Sequence, residues 1–175
     1  MVKSIAIVGG SSDIAKSTIS SMSADNYKFH VLVRDDSHTD ELSASGVSVV
    51  LGDATSEEDI KNFISGVKES GEIHAILHCV GSFAVRPPHA MNKEAFETVI
   101  STNLTSAFLT LSIAGKAMLS QGHGRMVFMS SVAGSLGLVN HEAISAAKGG
   151  VESMVRSAAA TYANRGLRIN AVAPG

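Results

Sequence analysis

VGGSSDIAKS, residues 8–17, is the stretch of this sequence that decides its fold. It follows a short apolar run and opens an amphipathic one, so we expect a strand, a tight turn and a helix in that order. Gly9 and Gly10 permit a tight turn and a close approach to the backbone. The N–H groups of such a turn and of the helix N-terminus attract anions, and Ser11 and Ser12 add hydroxyl donors. The stretch therefore predicts a diphosphate-binding turn.

The next residues of the stretch qualify this prediction. Ala15 is small enough to let the helix pack closely on the sheet. Asp13 stands where a glycine is usual, and a carboxylate beside phosphates weakens their binding unless it points away. The alternative interpretation is a plain connection from strand to helix, with Asp13 as the helix N-cap.

Short apolar runs alternate with longer amphipathic runs along the whole chain, which is typical of βαβ units with a parallel sheet. The predicted strands are Ser4 to Val8, Phe29 to Val33, Ser48 to Leu51, His74 to His78, Met126 to Met129 and Leu167 to Val172. The predicted helices are Asp13 to Ser23, Glu57 to Lys68, Lys93 to Leu119 and His141 to Ala163, with a doubtful short piece at Thr39 to Ser43. We predict one domain over residues 1–175, an α/β Rossmann-type doubly wound parallel sheet in three α/β/α layers. Its ligand crevice would lie beyond the carboxyl ends of the strands.

The last six residues, NAVAPG, close the sixth strand with a turn at Pro174 and Gly175. The usual C-terminal segment that would cover a substrate is lacking after this turn. Either the protein is unusually short or more chain follows, and we expect the second.

Composition excludes several function classes. Of 175 residues, 45% are hydrophobic and 17% are charged, and the formal net charge is −2. This balance gives no general positive surface for nucleic acid or an anionic membrane, so neither is a predicted partner. The single cysteine, Cys79, offers no disulfide and no cysteine zinc site, and we predict no metal site. A reducing, cytoplasmic location is expected.

Charged residues follow the second and third strands. A carboxylate at the tip of the second strand would hold a ribose 2′-hydroxyl, whereas an arginine there accommodates a 2′-phosphate. Arg34, in VLVRDD, favours NADP(H), with NAD(H) as the alternative; it could also be an ordinary exposed arginine at a strand end. Asp53 could accept a hydrogen bond from an adenine amino group, or it could cap the helix that begins near Glu57.

Six segments occur in a regular order along the chain, namely VGGSSDIA, HCVG at 78–81, STNLTSAF at 101–108, GRMVFMSSVAG at 124–134, ISAAKGG at 144–150 and RINAVAPG at 168–175. In this order and spacing the chain resembles the classical short-chain dehydrogenases/reductases. The resemblance implies binding of NAD(H) or NADP(H) on a Rossmann sheet and hydride transfer to or from a carbonyl or alcohol carbon. It also implies homo-oligomer contacts, in a dimer or tetramer, through the helices that begin near Lys93 and His141.

The resemblance also assigns site residues. Asn103 matches the asparagine that supports a proton relay, Ser131 the serine that orients the carbonyl oxygen, and Lys148 the lysine that holds the nicotinamide ribose. The cofactor-binding residues it implies, together with those predicted above, are Gly9, Gly10, Ser11, Ser12, Asp13, Ile14, Arg34, Asp53, Ala54, Cys79, Val80, Gly81, Lys148, Pro174 and Gly175.

One catalytic position departs from the family. The family tyrosine, which transfers the proton, precedes the lysine by four residues, and here that residue is Ile144. Isoleucine carries no proton, and loss of a positioned acid or base costs about 10²- to 10⁴-fold in rate. His141, three residues before Ile144, could supply the proton, or it could simply begin a helix with Asn140 as N-cap. His78 could act there too, or bond backbone at a strand end.

Two functions remain open from the sequence. The first is an oxidoreductase that acts on an unknown small-molecule carbonyl or alcohol with a non-standard proton donor. The second is a catalytically inactive cofactor-binding protein, either a redox sensor or a partner subunit. Methyl transfer from S-adenosylmethionine is disfavoured, because Arg34 stands where an acidic residue would hold the ribose.

Overall fold

The computed structural model describes residues 2–22 and 26–175. Its strands are β1 (Lys3–Val8), β2 (Tyr27–Val33), β3 (Ser48–Leu51), β4 (Ile73–His78), β5 (Gly124–Met129) and β6 (Leu167–Val172). They form one six-stranded parallel sheet in the order β3-β2-β1-β4-β5-β6. The chain reverses its winding between β1 and β4, so the predicted doubly wound Rossmann-type sheet is confirmed.

The helices are α1 (Asp13–Ser21), α2 (Thr39–Ala44), α3 (Glu57–Glu69), α4 (Lys93–Ile100), α5 (Ser106–Gln121) and α6 (Glu142–Tyr162). The predicted single helix Lys93 to Leu119 is wrong in one respect, because a π-helical turn, Ser101–Thr105, separates α4 from α5. The doubtful piece at Thr39 is a real helix, α2. The predicted end of the first helix, Ser23, lies outside the described residues.

Three helix caps that the sequence offered as alternative interpretations are wrong. Ser12, not Asp13, caps α1, because its Oγ accepts from the Ala15 N–H at 3.2 Å. Ser56, not Asp53, caps α3 by accepting from Asp59 N–H at 3.2 Å. Asn140 has a left-handed backbone with φ +62°, which leaves His141 at the N-cap position of α6. Ser12 and Ser56 make capping hydrogen bonds, whereas the His141 side chain makes none, and composition cannot indicate which residue begins a helix.

Apolar side chains on the two faces of the sheet form two separate cores. On one face α3, α5 and α6 pack over the sheet through residues such as Phe63, Met118 and Val155. On the other face α1 and α2 pack over β1 and β2. Arg125 and Arg168, which point to this second face from β5 and β6, are exposed. The helices described on the second face therefore cover only the β1 to β3 side of the sheet.

The continuous helical segment Lys93–Gln121 is long and apolar enough, by length and composition alone, to cross a membrane. Core helices often share this property. Ala107, Leu111, Ala114 and Met118 are buried in the core that α3, α5 and α6 form with the sheet, so we interpret the segment as a core helix.

Candidate active site

A cleft of about 550 Å³ opens at the carboxyl ends of β1 to β4. Its lining includes nine of the predicted cofactor-binding residues, namely Gly9, Ser11, Ser12, Arg34, Asp53, Ala54, Cys79, Val80 and Gly81. The cleft runs past the charged residues after β2 and β3, over the glycine turn, to the loop after β4. This is the crevice that the strand order predicts.

Two glycines shape the floor of this cleft in different ways. Gly9 has φ +88°, and a Cβ there would lie 2.8 Å from the Val80 nitrogen, so only glycine fits. A Cβ on Gly10 would lie 2.5 Å from the Cβ of Val31. Gly10 therefore lets the turn pack against β2 and does not line the cleft.

Five other predicted cofactor residues also lie outside the cleft lining: Asp13, Ile14, Lys148, Pro174 and Gly175. Asp13 is exposed in the first turn of α1, and Ile14 is 42% exposed. Pro174 lies beside the Ser131 segment, where its carbonyl accepts from Val132 N–H at 2.9 Å. Asp13 and Ile14 therefore lie on the exposed side of α1, and Pro174 lies beside the Ser131 segment, so none of the three lines the cleft.

Seven residues of the cleft lining were not predicted from the sequence, namely Leu32, Asp35, Gly52, Thr55, Thr98, Ser101 and Thr102. Asp35 was visible in RDD, directly after Arg34. The hydrogen bonds from the Ser37 hydroxyl and N–H lower the pKa of the Asp35 carboxyl. Thr98 and the two residues of the π-helical turn carry no sequence signal, because nothing in the helix pattern shows which turn faces the cleft.

Asn103 lies in the π-helical turn and is completely buried. Its Oδ1 accepts from Ser82 N–H at 3.1 Å, and its Nδ2 donates to Ser82 Oγ at 2.9 Å and to Val99 O at 3.0 Å. Every donor and one acceptor of this amide are used, so the side chain fixes the loop after β4. Its part in a proton relay stays a prediction.

Ser131 follows β5 and caps a short 3₁₀ turn, Val132–Gly134. Its Oγ accepts from Ala133 N–H at 3.2 Å, which leaves the hydroxyl proton free to donate to a ligand. The neighbouring Ser130 is buried and donates to Glu152 Oε1 on α6, with Oγ and Oε1 2.9 Å apart. The Ser131 segment is thereby tied to the helix that carries Lys148.

Lys148 is buried, and its Nζ donates to the Met129 carbonyl at 2.8 Å. Burial lowers the pKa of its ammonium group, an effect that the nearby Cys79 opposes. A Cβ built on Gly81 would lie 3.5 Å from Lys148 Nζ and 3.3 Å from Asn103 Oδ1. Lys148 and Asn103 therefore approach the end of the cleft at the same residue, Gly81.

Cys79 also lines the cleft, directly after β4. Burial raises the pKa of its thiol to about 11, although contacts with Ser12 and Lys148 oppose this. The thiol is therefore protonated at neutral pH and is a poor nucleophile.

Ile144 is 5% exposed and packs with Val99, Ala133, Ala143 and Ala147 in a small apolar cluster. Residue 144 is therefore a packing residue at the position where the resembled family keeps its proton donor. No protonation equilibrium is available to it at any pH.

The two histidines considered as donors lie in different environments. His141 donates through Nδ1 to the Val139 carbonyl at 2.7 Å, and its ring meets the ring of Phe83 edge-on at 6.0 Å. Its Nε2 is thus the nitrogen left for a ligand. His78 is only 1% exposed, so it cannot reach a substrate.

In the described part of the chain, no group of three or more His, Cys, Asp or Glu side chains is placed to hold a metal ion.

Comparisons with known proteins agree on one family. The sequence profile of the family described as short chain dehydrogenase matches residues 3–175. The 3-oxoacyl-(acyl-carrier-protein) reductase MabA of Mycobacterium tuberculosis is 31% identical over 174 residues, which are 99% of this chain and 68% of that protein. Levodione reductase of Leifsonia aquatica is 29% identical over 184 residues, covering 98% of this chain and 68% of that protein.

Solved structures agree as well. The crystal structure of levodione reductase matches with a TM-score of 0.93 at 27% identity, covering 99% of this chain and 71% of that chain. The NADP-bound structure of ElxO matches with a TM-score of 0.90 at 24% identity, covering 100% of this chain and 74% of that chain, and shows likeness of fold.

Proposed function

This chain belongs to the short-chain dehydrogenase family, and we propose from that premise that it binds a nicotinamide dinucleotide and reduces a carbonyl compound or oxidises the matching alcohol. The observation that carries the proposal is the continuous cleft from Arg34 and Asp53, over Gly9, to Gly81. At Gly81 the cleft ends beside Lys148 and Asn103. A long dinucleotide fits such a groove, since its two ends and its diphosphate need different partners.

The residues in the cleft fit the parts of this cofactor. Ser11 and the capped N-terminus of α1 present N–H groups and hydroxyls for a diphosphate. Asp53 accepts from Thr55 N–H at 2.7 Å and Thr55 Oγ1 at 2.8 Å, which fixes the carboxylate in the cleft for an adenine amino group. Lys148 has N–H donors beyond the one given to Met129, and these would hold ribose hydroxyls.

NADP(H) is the proposed form of the cofactor. Arg34 lines the cleft after β2, and a guanidinium gives a phosphate charge-assisted hydrogen bonds. The adjacent Asp35 also lines the cleft, but its carboxylate accepts from the Ser37 N–H and hydroxyl. The cation is therefore the group more available to a 2′-substituent.

Proton transfer must use a group other than residue 144. When bound, the reduced nicotinamide would supply the hydride. Ser131 would donate a hydrogen bond to the carbonyl oxygen, and His141 in its imidazolium form would give the Nε2 proton to that oxygen, becoming a neutral ring that keeps its Nδ1 proton on the Val139 carbonyl. His141 is proposed for this role because its ring packs edge-on against Phe83, two residues after Gly81 at the end of the cleft, and its Nε2 has no partner among the described residues.

Turnover tests this proposal. NADPH oxidation would be followed with a panel of ketones and 3-oxoacyl thioesters, the latter chosen because a reductase of such a substrate is a relative. We expect oxidation above background and a loss of about 10²-fold or more in His141→Ala. His89→Ala, at an exposed position outside the cleft, is the matched control and should keep the rate.

A second candidate function is cofactor binding without turnover, which the closed apolar packing of Ile144 favours. It predicts that the wild type binds NADPH but oxidises it with no member of the panel. Ile144→Tyr would then create activity where there was none. If the wild type turns over and His141→Ala does not, this second candidate is wrong.

A further inference from the structure

His78 is the last residue of β4 and lies directly before the cleft residues Cys79, Val80 and Gly81. Its side chain is 1% exposed, and its Nε2 lies 3.0 Å from Ser106 Oγ on α5. Buried polar groups are generally hydrogen-bonded, and Ser106 is the side chain that satisfies Nε2 of His78.

The direction of this hydrogen bond follows from its neighbour. Ser106 Oγ lies 2.6 Å from the Thr102 carbonyl, which can only accept. The single hydroxyl proton of Ser106 therefore goes to Thr102, and His78 donates through Nε2–H. Burial lowers the pKa of His78 to about 3, and the nearby Lys148 adds to this effect, so the ring is neutral. Because it donates to Ser106, its one proton is on Nε2.

Ser106, the partner of His78, adjoins the π-helical turn, and Thr102, the partner of Ser106, lies within it. Ser106 ends the turn, and its N–H bonds to Ser101 O, five residues earlier. Ser101 and Thr102 line the cleft, and Asn103 bonds to Ser82 in the loop after β4. π-Helical turns cost stability and commonly mark functional sites, so something must hold this one in place.

We propose that His78 is a positioning residue that holds the π-helical turn Ser101–Thr105, and with it the Thr102 wall of the cleft and the Asn103 amide, through the Ser106 hydroxyl. The inference rests on the proposed function, since its purpose is to shape the cofactor site. His78 does not touch the cofactor and transfers no proton to a substrate.

Matched variants separate donation from filling of space. His78→Leu fills a similar volume with an apolar side chain and removes the hydrogen-bond donor. His78→Gln places an amide N–H near the former Nε2 and keeps the donor. His74→Leu, at the opposite end of the same strand, changes a histidine remote from the cleft. Calorimetric titration of each full chain with NADPH, well below its unfolding temperature, gives the dissociation constants.

The proposal predicts about a tenfold weaker affinity for NADPH in His78→Leu and in Ser106→Ala, and no further loss in the double variant. His78→Gln and His74→Leu should stay within about threefold of the wild type. If His78→Leu and His78→Gln bind equally well, or if the losses in His78→Leu and Ser106→Ala add, the positioning role is wrong.

Amide hydrogen exchange provides a readout without cofactor. Protection of residues 101–106 should fall in His78→Leu and be restored in His78→Gln, while α3 keeps its protection in both. If the wild type does not bind NADPH, the proposed function fails, and this exchange pattern still decides whether His78 holds the turn. Unchanged exchange in His78→Leu would overturn the inference.

Discussion

The β1–β3 part of the molecule, described over residues 2–22 and 26–69, and the β4–β6 part, residues 73–175, use polar side chains in opposite ways. In the first part, Ser11, Ser12, Arg34, Asp35 and Asp53 line an open cleft. In the second part, Thr98, Ser101 and Thr102 also line the cleft, but this part holds most of the described buried polar side chains. The described buried polar residues are Ser4 and His30 in the first part and His78, Asn103, Ser106, Thr110, Ser130 and Lys148 in the second.

This difference explains how the fold accommodates an isoleucine, Ile144, at the position of the family tyrosine. The charged groups of the cleft come from the β1–β3 part, whereas the β4–β6 part is held by an internal hydrogen-bond network and by apolar packing. Ile144 joins the packing with Val99 and Ala147 and requires no partner for a hydroxyl. In the proposed function, cofactor binding would therefore not depend on the residue at position 144.

Of the changes considered, Gly9→Ala in the glycine turn of the β1–β3 part should have the largest effect. The new Cβ would meet the Val80 nitrogen at 2.8 Å in a residue with φ +88°. We expect at least about a 100-fold loss of NADPH affinity and about 2 to 4 kcal/mol of stability, from backbone strain and overpacking together. Calorimetric titration and urea unfolding measure the two losses.

Gly46→Ala is the matched control for this variant. Gly46 also has positive φ, +75°, but nothing lies within 4 Å of its missing Cβ. It should lose about 1 to 2 kcal/mol from strain alone and keep NADPH affinity. Equal NADPH affinity in the two variants would show that the glycine turn is not part of the cofactor site.

The two parts should also differ in how their stability depends on pH, because each contains one described buried histidine. Burial lowers the pKa of His78 to about 3 and, with help from Lys28, also lowers the pKa of His30. The unfolded chain takes up protons near the ordinary histidine pKa of 6.5, whereas folded His78 does not, so stability falls as pH falls from about 6.5 towards 3. The slope approaches about 1.4 kcal/mol per pH unit for each proton well below pH 6.5, which for His78 amounts to about 2 kcal/mol between pH 6.5 and 4.5.

Urea unfolding at several pH values between 7 and 4.5 checks this loss. His78→Gln should flatten the profile more than His30→Gln does, because the pKa of His78 is displaced by several units. A profile that keeps its slope in His78→Gln would mean that His78 titrates in the folded state near its ordinary pKa.

Arg34 provides the smallest effect, at the adenosine end of the cleft. Arg34→Gln should weaken NADPH binding about tenfold and leave NADH binding within about twofold, because only NADPH carries the 2′-phosphate. Fluorescence titration with both coenzymes measures the ratio, with Arg125→Gln on the exposed face of β5 as the control. An equal change for both coenzymes would remove Arg34 as the phosphate partner.

The sequence was sufficient for the strands, for a doubly wound parallel sheet and for nine residues of the cleft lining, because apolar runs and a glycine turn are local signals. The π-helical turn could not be predicted, since STNLTS keeps the same apolar spacing as the helices around it. The pairing of His78 with Ser106 spans 28 residues and depends on the packing of α5 over β4. The N-cap positions of α1, α3 and α6 are Ser12, Ser56 and His141, and not the alternatives that the sequence offered, because the start of a helix depends on backbone angles.

The central claim is that the cleft binds a nicotinamide dinucleotide whatever stands at residue 144. Calorimetric titration of the wild type and of Ile144→Tyr with NADPH tests it most directly. We predict saturable binding of one NADPH per chain in both, with dissociation constants within about threefold of each other. Absence of saturable heat in the wild type at millimolar NADPH, or binding that appears only in Ile144→Tyr, would contradict the account.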